Sequence, residues 1–341
     1  MQKLLFPFSI LYGFVTLVRN WAFDLGFLES YTPPVYSIGV GNLRVGGTGK
    51  TPMVEYLIRH FGAQNNIGVI SRGYGRKTKG ILTASPDSNA TEIGDEPAQI
   101  VRKYPEVVFV VGGNRVAATK HLLDQNKSVE YLLFDDVYQH RYVKPHCLIL
   151  LTAFDDLYVN DYVLPSGRLR ELRSGADRAD IIVVTKCPEG LSENDQHELK
   201  VRLKPKAYQK VFFTTVKKSP YQRVYGNASE CSSNVVLVTG IDGSKRVSNS
   251  VLKDHSIVKH FDFSDHYSYT PSDISSILKE CKSHQETDIL TTEKDWQRLR
   301  PFVEDLYDRD VSIFIIPIEI EFFGNQSTQF NEALNDTTRK N

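Results

Sequence analysis

The chain has 341 residues, with 41 basic and 41 acidic side chains and a formal net charge of zero, so no overall field favours nucleic acid or another polyanion. Apolar residues make up 41%, the content of an ordinary globular protein of about two domains or one large α/β unit. The four cysteines, Cys147, Cys187, Cys231 and Cys281, form no CxxC pair, which argues against a disulfide or metal framework and for buried free thiols in a reducing cytoplasm.

Residues 4 to 28 are rich in Leu, Phe, Val and Trp, but Pro7, Gly13, Arg19, Asn20 and Asp24 interrupt them. The uninterrupted part, Ile10 to Val18, is roughly half the length that spans a bilayer. No small-residue cleavage site follows, which argues against a cleaved signal. The segment 1–30 is therefore expected to be amphipathic, either lying in a membrane interface or packing on the protein's own core.

Next comes an apolar run, Val35-Tyr36-Ser37-Ile38-Gly39-Val40, then Arg44-Val45-Gly46-Gly47-Thr48-Gly49-Lys50-Thr51, then a helical pattern from Pro52 to Phe61. In a strand, glycine-rich loop and helix, backbone N–H groups converge on a polyphosphate at the positive end of the helix. Residues Arg44 to Thr51 are expected to cradle a nucleotide, with Lys50 on the β- and γ-phosphates and the Thr51 hydroxyl on Mg²⁺. Arg44 stands where the strict pattern has glycine, so the match is to the GxGK[ST] half and its context. An ordinary βα turn would leave the Lys-Thr pair unexplained.

Beyond the loop, short β-branched runs alternate with helix-compatible stretches. Strands are expected at Ile67 to Ile70, Val107 to Val111, Tyr131 to Phe134, Cys147 to Leu151 and Ile181 to Val184, and helices near 95–104, 114–125 and 191–203. This alternation produces a mostly parallel sheet with helices on both faces, a phosphate-loop NTPase-like α/β core over 31–205. Further runs at Val211 to Val216, Val235 to Val238, Ile257 to Phe263 and Ser312 to Ile320 point to a smaller C-terminal α/β lobe over 206–325. Tyr225 to Glu230 reads as a surface loop, and 326–341 as a loose tail.

Ligands of open α/β sheets bind at the carboxyl ends of strands, where several polar clusters fall. Tyr131-Leu132-Leu133-Phe134 ends in Asp135-Asp136, the form of a Walker B element whose carboxylate holds Mg²⁺ opposite Thr51. Gln139 and His140 follow within reach of phosphates. Gly94-Asp95-Glu96-Pro97 opens a helix, where acids also serve as ordinary caps. Ser264-Asp265-His266-Tyr267 follows a strand pattern. Together the last two clusters supply a carboxylate to take a hydroxyl proton and a histidine to orient it, as a kinase acting on an alcohol requires.

Ser37 to Asn42 running into Gly46 to Pro52, Ser71-Arg72-Gly73-Tyr74-Gly75-Arg76, Gly94 to Pro97, Val111-Gly112-Gly113-Asn114-Arg115 and Asp135 to His140 form an ordered series of motifs. Leu164-Pro165-Ser166-Gly167-Arg168-Leu169-Arg170-Glu171, Phe263 to Tyr267 and Thr291-Thr292-Glu293-Lys294-Asp295 continue the series. The series resembles that of the tetraacyldisaccharide 4′-kinase family of lipid A biosynthesis. The resemblance implies transfer of the γ-phosphoryl group of ATP to the 4′-hydroxyl of tetraacyldisaccharide 1-phosphate, giving lipid IVA, at the cytoplasmic face of the bacterial inner membrane. It implies Asp95 as base with His266 as partner, Lys50 and Asp136 as further catalytic groups, and Thr51 and Asp135 on Mg²⁺. Arg72, Arg115, Gln139, His140, Arg170 and Glu171 are the expected substrate contacts, with Arg19 and Arg76 as further basic groups near lipid phosphate.

Two departures stand out. Val137 occupies a position where the family usually has glycine, which requires φ < 0 there. Thr239-Gly240-Ile241-Asp242-Gly243-Ser244 lacks the family's Asn-Pro, so adenine contacts do not carry over. Thr185-Lys186-Cys187 lacks the aspartate of a guanine-reading loop. The competing readings are a phosphate-loop GTPase or ATPase switch, a metal-insertion chaperone, and a membrane scaffold that has kept a nucleotide site.

Overall fold

The computed structural model describes residues 2–63, 65–284, 287–303 and 311–338. In chain order, helix α1 (Gln2–Asp24) precedes β1 (Tyr36–Asn42), α2 (Lys50–Gly62), β2 (Ile67–Ser71), β3 (Leu82–Thr83), α3 (Ala90–Ile93), α4 (Asp95–Lys103) and β4 (Val108–Val111). Helix α5 (Arg115–Gln125), β5 (Tyr131–Phe134), β6 (Cys147–Ala153), β7 (Ile181–Thr185), α6 (Glu193–Leu203) and β8 (Lys210–Lys218) follow. These strands, joined by β14 (Ile318–Phe322), build a nine-stranded sheet in the order β14-β8-β7-β6-β1-β5-β2-β4-β3. All neighbours from β8 to β4 run parallel, and only the edge strands β3 and β14 are antiparallel.

The strand sequences explain this arrangement. Strands β2 and β7 are buried at every position, so each reads as a continuous apolar run rather than an alternation. Met53, Leu57 and Phe61 of α2 and Ile100 of α4 cover one face. Ala118 and Leu122 of α5 and Leu199 and Leu203 of α6 cover the other.

A second, five-stranded sheet has the order β11-β10-β12-β13-β9, with β9 (Gln222–Tyr225), β10 (Asn234–Thr239), β11 (Ser256–Asp262), β12 (Thr287–Thr292) and β13 (Ile313–Ile316). Helices α7 (Ser244–Val251), α8 (Pro271–Ser283) and α9 (Glu293–Val303) accompany it.

Three expectations need correction. Strand β8 belongs to the large sheet, so the second sheet starts at Gln222 rather than near residue 206. The run Ser312 to Ile320 is two strands: Pro317, which has no N–H for a ladder, separates β13 of the small sheet from β14 of the large one. The expected loose tail folds over 326–338 as helix α10 (Gln326–Thr338), which buries Phe330, Ala333 and Leu334 against Phe212 and Phe322. Those three residues share one helical face, a stripe too short to stand out from its polar surroundings.

Helix α1 is amphipathic in an inverted sense. Its small and polar side, Ser9, Gly13, Thr16 and Asn20, faces the protein, while Phe8, Ile10, Leu11, Phe14, Val15, Leu17, Val18 and Trp21 are exposed. Ser9 Oγ donates to Ser166 Oγ (2.8 Å), Tyr12 to the Arg170 carbonyl (3.0 Å) and Asn20 Nδ2 to Glu171 Oε2 (2.7 Å). The exposed apolar stripe therefore does not serve the protein's own core. Among the described residues, no helix is long and apolar enough to cross a membrane.

Candidate active site

Strand β1, at the centre of the large sheet, delivers the phosphate loop from its carboxyl end. A Cβ on Gly41 would stand 2.6 Å from Tyr138 Cβ, so the loop after β5 can cross β1 closely only because that position is glycine. Asn42 Nδ2 donates to Thr48 Oγ1 (2.7 Å) and shapes the loop from inside. Gly49, at φ 83, caps α2 with no side-chain hydrogen bond, which leaves the first amides of the helix for an anion. The Gly47 amide donates to Asp242 Oδ2 (3.1 Å), a carboxylate from the turn after β10. Lys186 Nζ donates to the Gly47 carbonyl (2.5 Å).

The Asp135-Asp136 pair leaves β5 beside this loop. Asp136 has φ 47, a left-handed conformation that aspartate tolerates, and Val137 stays out of that region and is buried. The departure at Val137 is thus absorbed one residue earlier. Lys50 Nζ lies 3.7 Å from Asp136 Oδ1, and Arg170 grips Asp136 with two bonds (3.1 and 2.8 Å). Burial alone would raise the Asp136 carboxyl, but Lys50, Arg170 and Arg115 outweigh it and hold it far below the usual range. Asp135 is pushed up to about 6 by burial and by the nearby Glu96 and Asp136. Its Oδ2 accepts from Ser71 Oγ (2.9 Å), while buried Oδ1 has no hydrogen-bond partner among the described residues. An orphaned carboxylate oxygen in the cleft that Thr51 also lines suits Mg²⁺, which needs only one or two protein ligands when phosphates supply the rest. No fuller cluster of metal-ligating side chains occurs among the described residues.

The second chemical pair is assembled from both sheets' lobes. Gly94, at φ 97, begins α4, and a Cβ there would meet the Tyr74 carbonyl at 2.8 Å, so the Ser71–Arg76 and Gly94–Pro97 motifs interlock. Asp95 is thereby presented at the first turn of α4. His266, at φ 58 after β11, places Nδ1 2.8 Å from Asp95 Oδ2. Asp95 Oδ1 accepts from the Glu96 amide (2.9 Å), and Arg298 Nε stands 3.6 Å from Oδ2. Burial pushes the Asp95 carboxyl up, but the His266 hydrogen bond with the Lys294 and Arg298 charges brings it below its ordinary value. Asp95 is ionised at neutral pH.

These groups share one cleft of about 560 Å³ between the lobes. Val45 to Thr51, Arg72, Asp95, Asp135, Asp136, Arg170 and His266 line it. Other expected residues lie elsewhere. Arg44 turns away to Asp156 (2.5 Å) and Asp161 (2.9 Å). The Glu171 carboxylate is filled by Arg178 (2.9 and 2.8 Å), Asn20 and Gln139, and so braces α1 instead of facing the cleft. Gln139 Nε2 also donates to the Asn42 carbonyl (2.9 Å). Arg115 is 2% exposed and donates to the Gly112 carbonyl (2.9 Å), behind the acids. His140 is half-buried, and burial with the charges of Arg115, Arg19 and Arg72 lowers it to about 4, so it is neutral at pH 7. Sequence reasoning gave no role to Arg298, in the second turn of α9, or to Lys186, Asp242 and Lys294, charged groups just beyond strand ends. Their position there was the available signal.

The whole chain matches known proteins. Residues 1–339 match the family described as tetraacyldisaccharide-1-P 4′-kinase. The tetraacyldisaccharide 4′-kinase of Flavobacterium johnsoniae is 42% identical over 96% of this chain and 94% of its own length. That of Cytophaga hutchinsonii is 39% identical over 97% and 94%. The crystal structure of LpxK from Aquifex aeolicus in complex with ATP superposes with a TM-score of 0.76 at 25% identity, covering 98% of this chain and 99% of that one. On this match, which runs nearly from end to end, the chain belongs to the tetraacyldisaccharide 4′-kinase family.

Proposed function

We propose a division of labour for the reaction this kinase carries out, transfer of the γ-phosphoryl group of ATP to the 4′-hydroxyl of tetraacyldisaccharide 1-phosphate in lipid A synthesis. The observation that carries it is the Asp95–His266 contact of 2.8 Å, made between the lobes in the cleft that holds the phosphate loop. Amides of the loop and of the first turn of α2 bind the phosphates, and Lys50 neutralises charge that develops on the transferring group. Thr51 and Asp135 would hold Mg²⁺, which would offset phosphate charge when bound. The sugar oxygen bonds to the γ-phosphorus as the bond to ADP breaks. Its proton passes to Asp95, whose carboxylate is kept charged and aimed by His266. Asp136, gripped by Lys50 and Arg170, holds both cations at the phosphates.

Arg72, which lines the cleft, meets the lipid's charged groups with Arg170; buried Arg115 supplies positive charge behind them, and His140 stays neutral beside it. The exposed stripe of α1 rests in the cytoplasmic face of the inner membrane, since an acylated substrate stays in the bilayer. The test is transfer of labelled γ-phosphoryl to tetraacyldisaccharide 1-phosphate in detergent micelles. Asp95→Ala and His266→Ala should each lose on the order of 10² or more in turnover. ATP hydrolysis without labelled lipid would favour a switch-type ATPase, and wild-type turnover in both variants would remove the pair from the mechanism.

A further inference from the structure

His266 is held at both ring nitrogens. Nδ1 faces Asp95 at 2.8 Å, and Nε2 lies 3.2 Å from Lys294 Nζ. Lys294 comes from the first turn of α9, directly after β12. Its ammonium is itself fixed by two carboxylates at 3.3 Å, Glu96 on α4 and Asp265 beside the histidine. Burial lowers the Lys294 amine, but Glu96, Asp95 and Asp265 outweigh that and raise it above its ordinary value, so it carries its charge throughout the working range. Asp265 Oδ2 stands 3.7 Å from Nε2, and the Tyr74 ring centroid 5.0 Å from the imidazole.

An ammonium has donors only. Facing it, Nε2 must offer its lone pair, and the single ring proton of the neutral imidazole is then on Nδ1, where it points at Asp95. We propose that Lys294 is a positioning residue that fixes the tautomer of His266, so that the histidine donates to Asp95 and keeps that carboxylate oriented toward the sugar hydroxyl. This rests on the reading of Asp95 and His266 as the proton-handling pair. Lys294 touches neither the nucleotide loop nor the proton in flight; it acts through the ring. Glu96 contributes by tying the same ammonium to the helix that carries Asp95, so the two lobes share one polar chain, an ion pair from Glu96 to Lys294 and hydrogen bonds from Lys294 through His266 to Asp95.

The test combines two substitutions with a spectroscopic readout. Lys294→Met removes the donor. Lys294→Gln keeps an N–H donor without the charge. In ¹⁵N-histidine-labelled protein, with the His266 signals assigned by their loss in His266→Ala, the wild type should show the Nδ1–H form. Lys294→Met should show a mixture with Nε2–H, and Lys294→Gln the wild-type form. Turnover should fall about tenfold or more in Lys294→Met with little change in KM for either substrate, and recover to within a few-fold in Lys294→Gln. An unchanged tautomer or unchanged turnover in Lys294→Met would overturn the proposal, as would a Lys294→Gln variant that behaves like Lys294→Met. If His266→Ala keeps full turnover, the catalytic pair is wrong, yet the tautomer comparison still reads whether Lys294 sets the ring.

Discussion

Asp135 and Asp136 are neighbours in the chain held in opposite electrostatic states, and the difference predicts their behaviour. Asp135 is raised to about 6, so its buried charge costs stability that sets in as pH rises from the ordinary carboxylate value of 3.8 and is fully present above about 6. Removing the charge should therefore stabilise the metal-free fold. Asp135→Asn is expected to gain on the order of 3 kcal/mol at pH 7.5 and roughly half of that at pH 5, while losing about 10²-fold or more in turnover. Thermal melts at the two pH values check it, and a destabilised variant at pH 7.5 would contradict it. Protons compete with Mg²⁺ for the same carboxylate, so the Mg²⁺ concentration for half-maximal rate should climb below about pH 6. A Mg²⁺ requirement that stays flat from pH 7.5 to pH 5 would place the metal elsewhere. Asp242 occupies the Gly47 amide at 3.1 Å, a donor that a phosphate oxygen would use. Asp242→Ala should bind ATP about 3- to 10-fold more tightly by titration calorimetry, the order expected for removing one competing hydrogen bond and a repelling charge. Weaker binding would mean that Asp242 holds the nucleotide instead of yielding to it.

At the scale of elements, α1 is the piece whose composition and contacts disagree until its two sides are separated. The side with Ser9, Tyr12 and Asn20 is hydrogen-bonded to residues 166–171, and on the apolar side Phe8, Ile10, Phe14, Leu17 and Trp21 stay exposed. The double variant Phe8→Asp with Phe14→Asp should leave the melting temperature unchanged and reduce sedimentation with anionic lipid vesicles at least tenfold, as loss of about 1.5–3 kcal/mol of burial per phenylalanine requires. Unaltered vesicle binding would detach α1 from the membrane reading. The same helix marks what the sequence could convey. Its length and apolar content were legible, whereas which side faces the protein depends on Ser166, Arg170 and Glu171, far away in the chain. The phosphate loop and the acids after β5 were readable because strand, glycine spacing and charged terminus are local signals. The tail was misread because the partners of Phe330 and Leu334, Phe212 and Phe322, come from strands that pair only in the folded sheet. Strand β14 was hidden for a related reason: Ser312 to Ile320 is uniformly β-like, and only Pro317 hints that the run changes sheets.

At the scale of the molecule, chain connectivity stitches the lobes together twice. The chain leaves the large sheet after β8, builds the small sheet, and returns through β14 and α10. Helix α4 of one lobe lies on α9 of the other, where Lys103 Nζ reaches Glu293 (3.0 Å) and Lys294 reaches Glu96 (3.3 Å). Ending the chain at Asn325 should therefore destabilise the large sheet by roughly 3–6 kcal/mol, the burial of Phe330 and Leu334 alone, and lower the unfolding midpoint accordingly. A shortened chain with unchanged stability would show that α10 is dispensable. This arrangement also explains the site: the phosphate loop and acids sit on one lobe, His266 and Lys294 on the other, and the reaction needs both in register. The most direct measurement of that claim is the stoichiometry of ADP formed against lipid 4′-phosphomonoester, read by ³¹P NMR, for wild type and Asp95→Asn. Equal amounts of both products from the wild type, with neither from Asp95→Asn, is the predicted result. ADP without the phosphomonoester, or full product from Asp95→Asn, would contradict it.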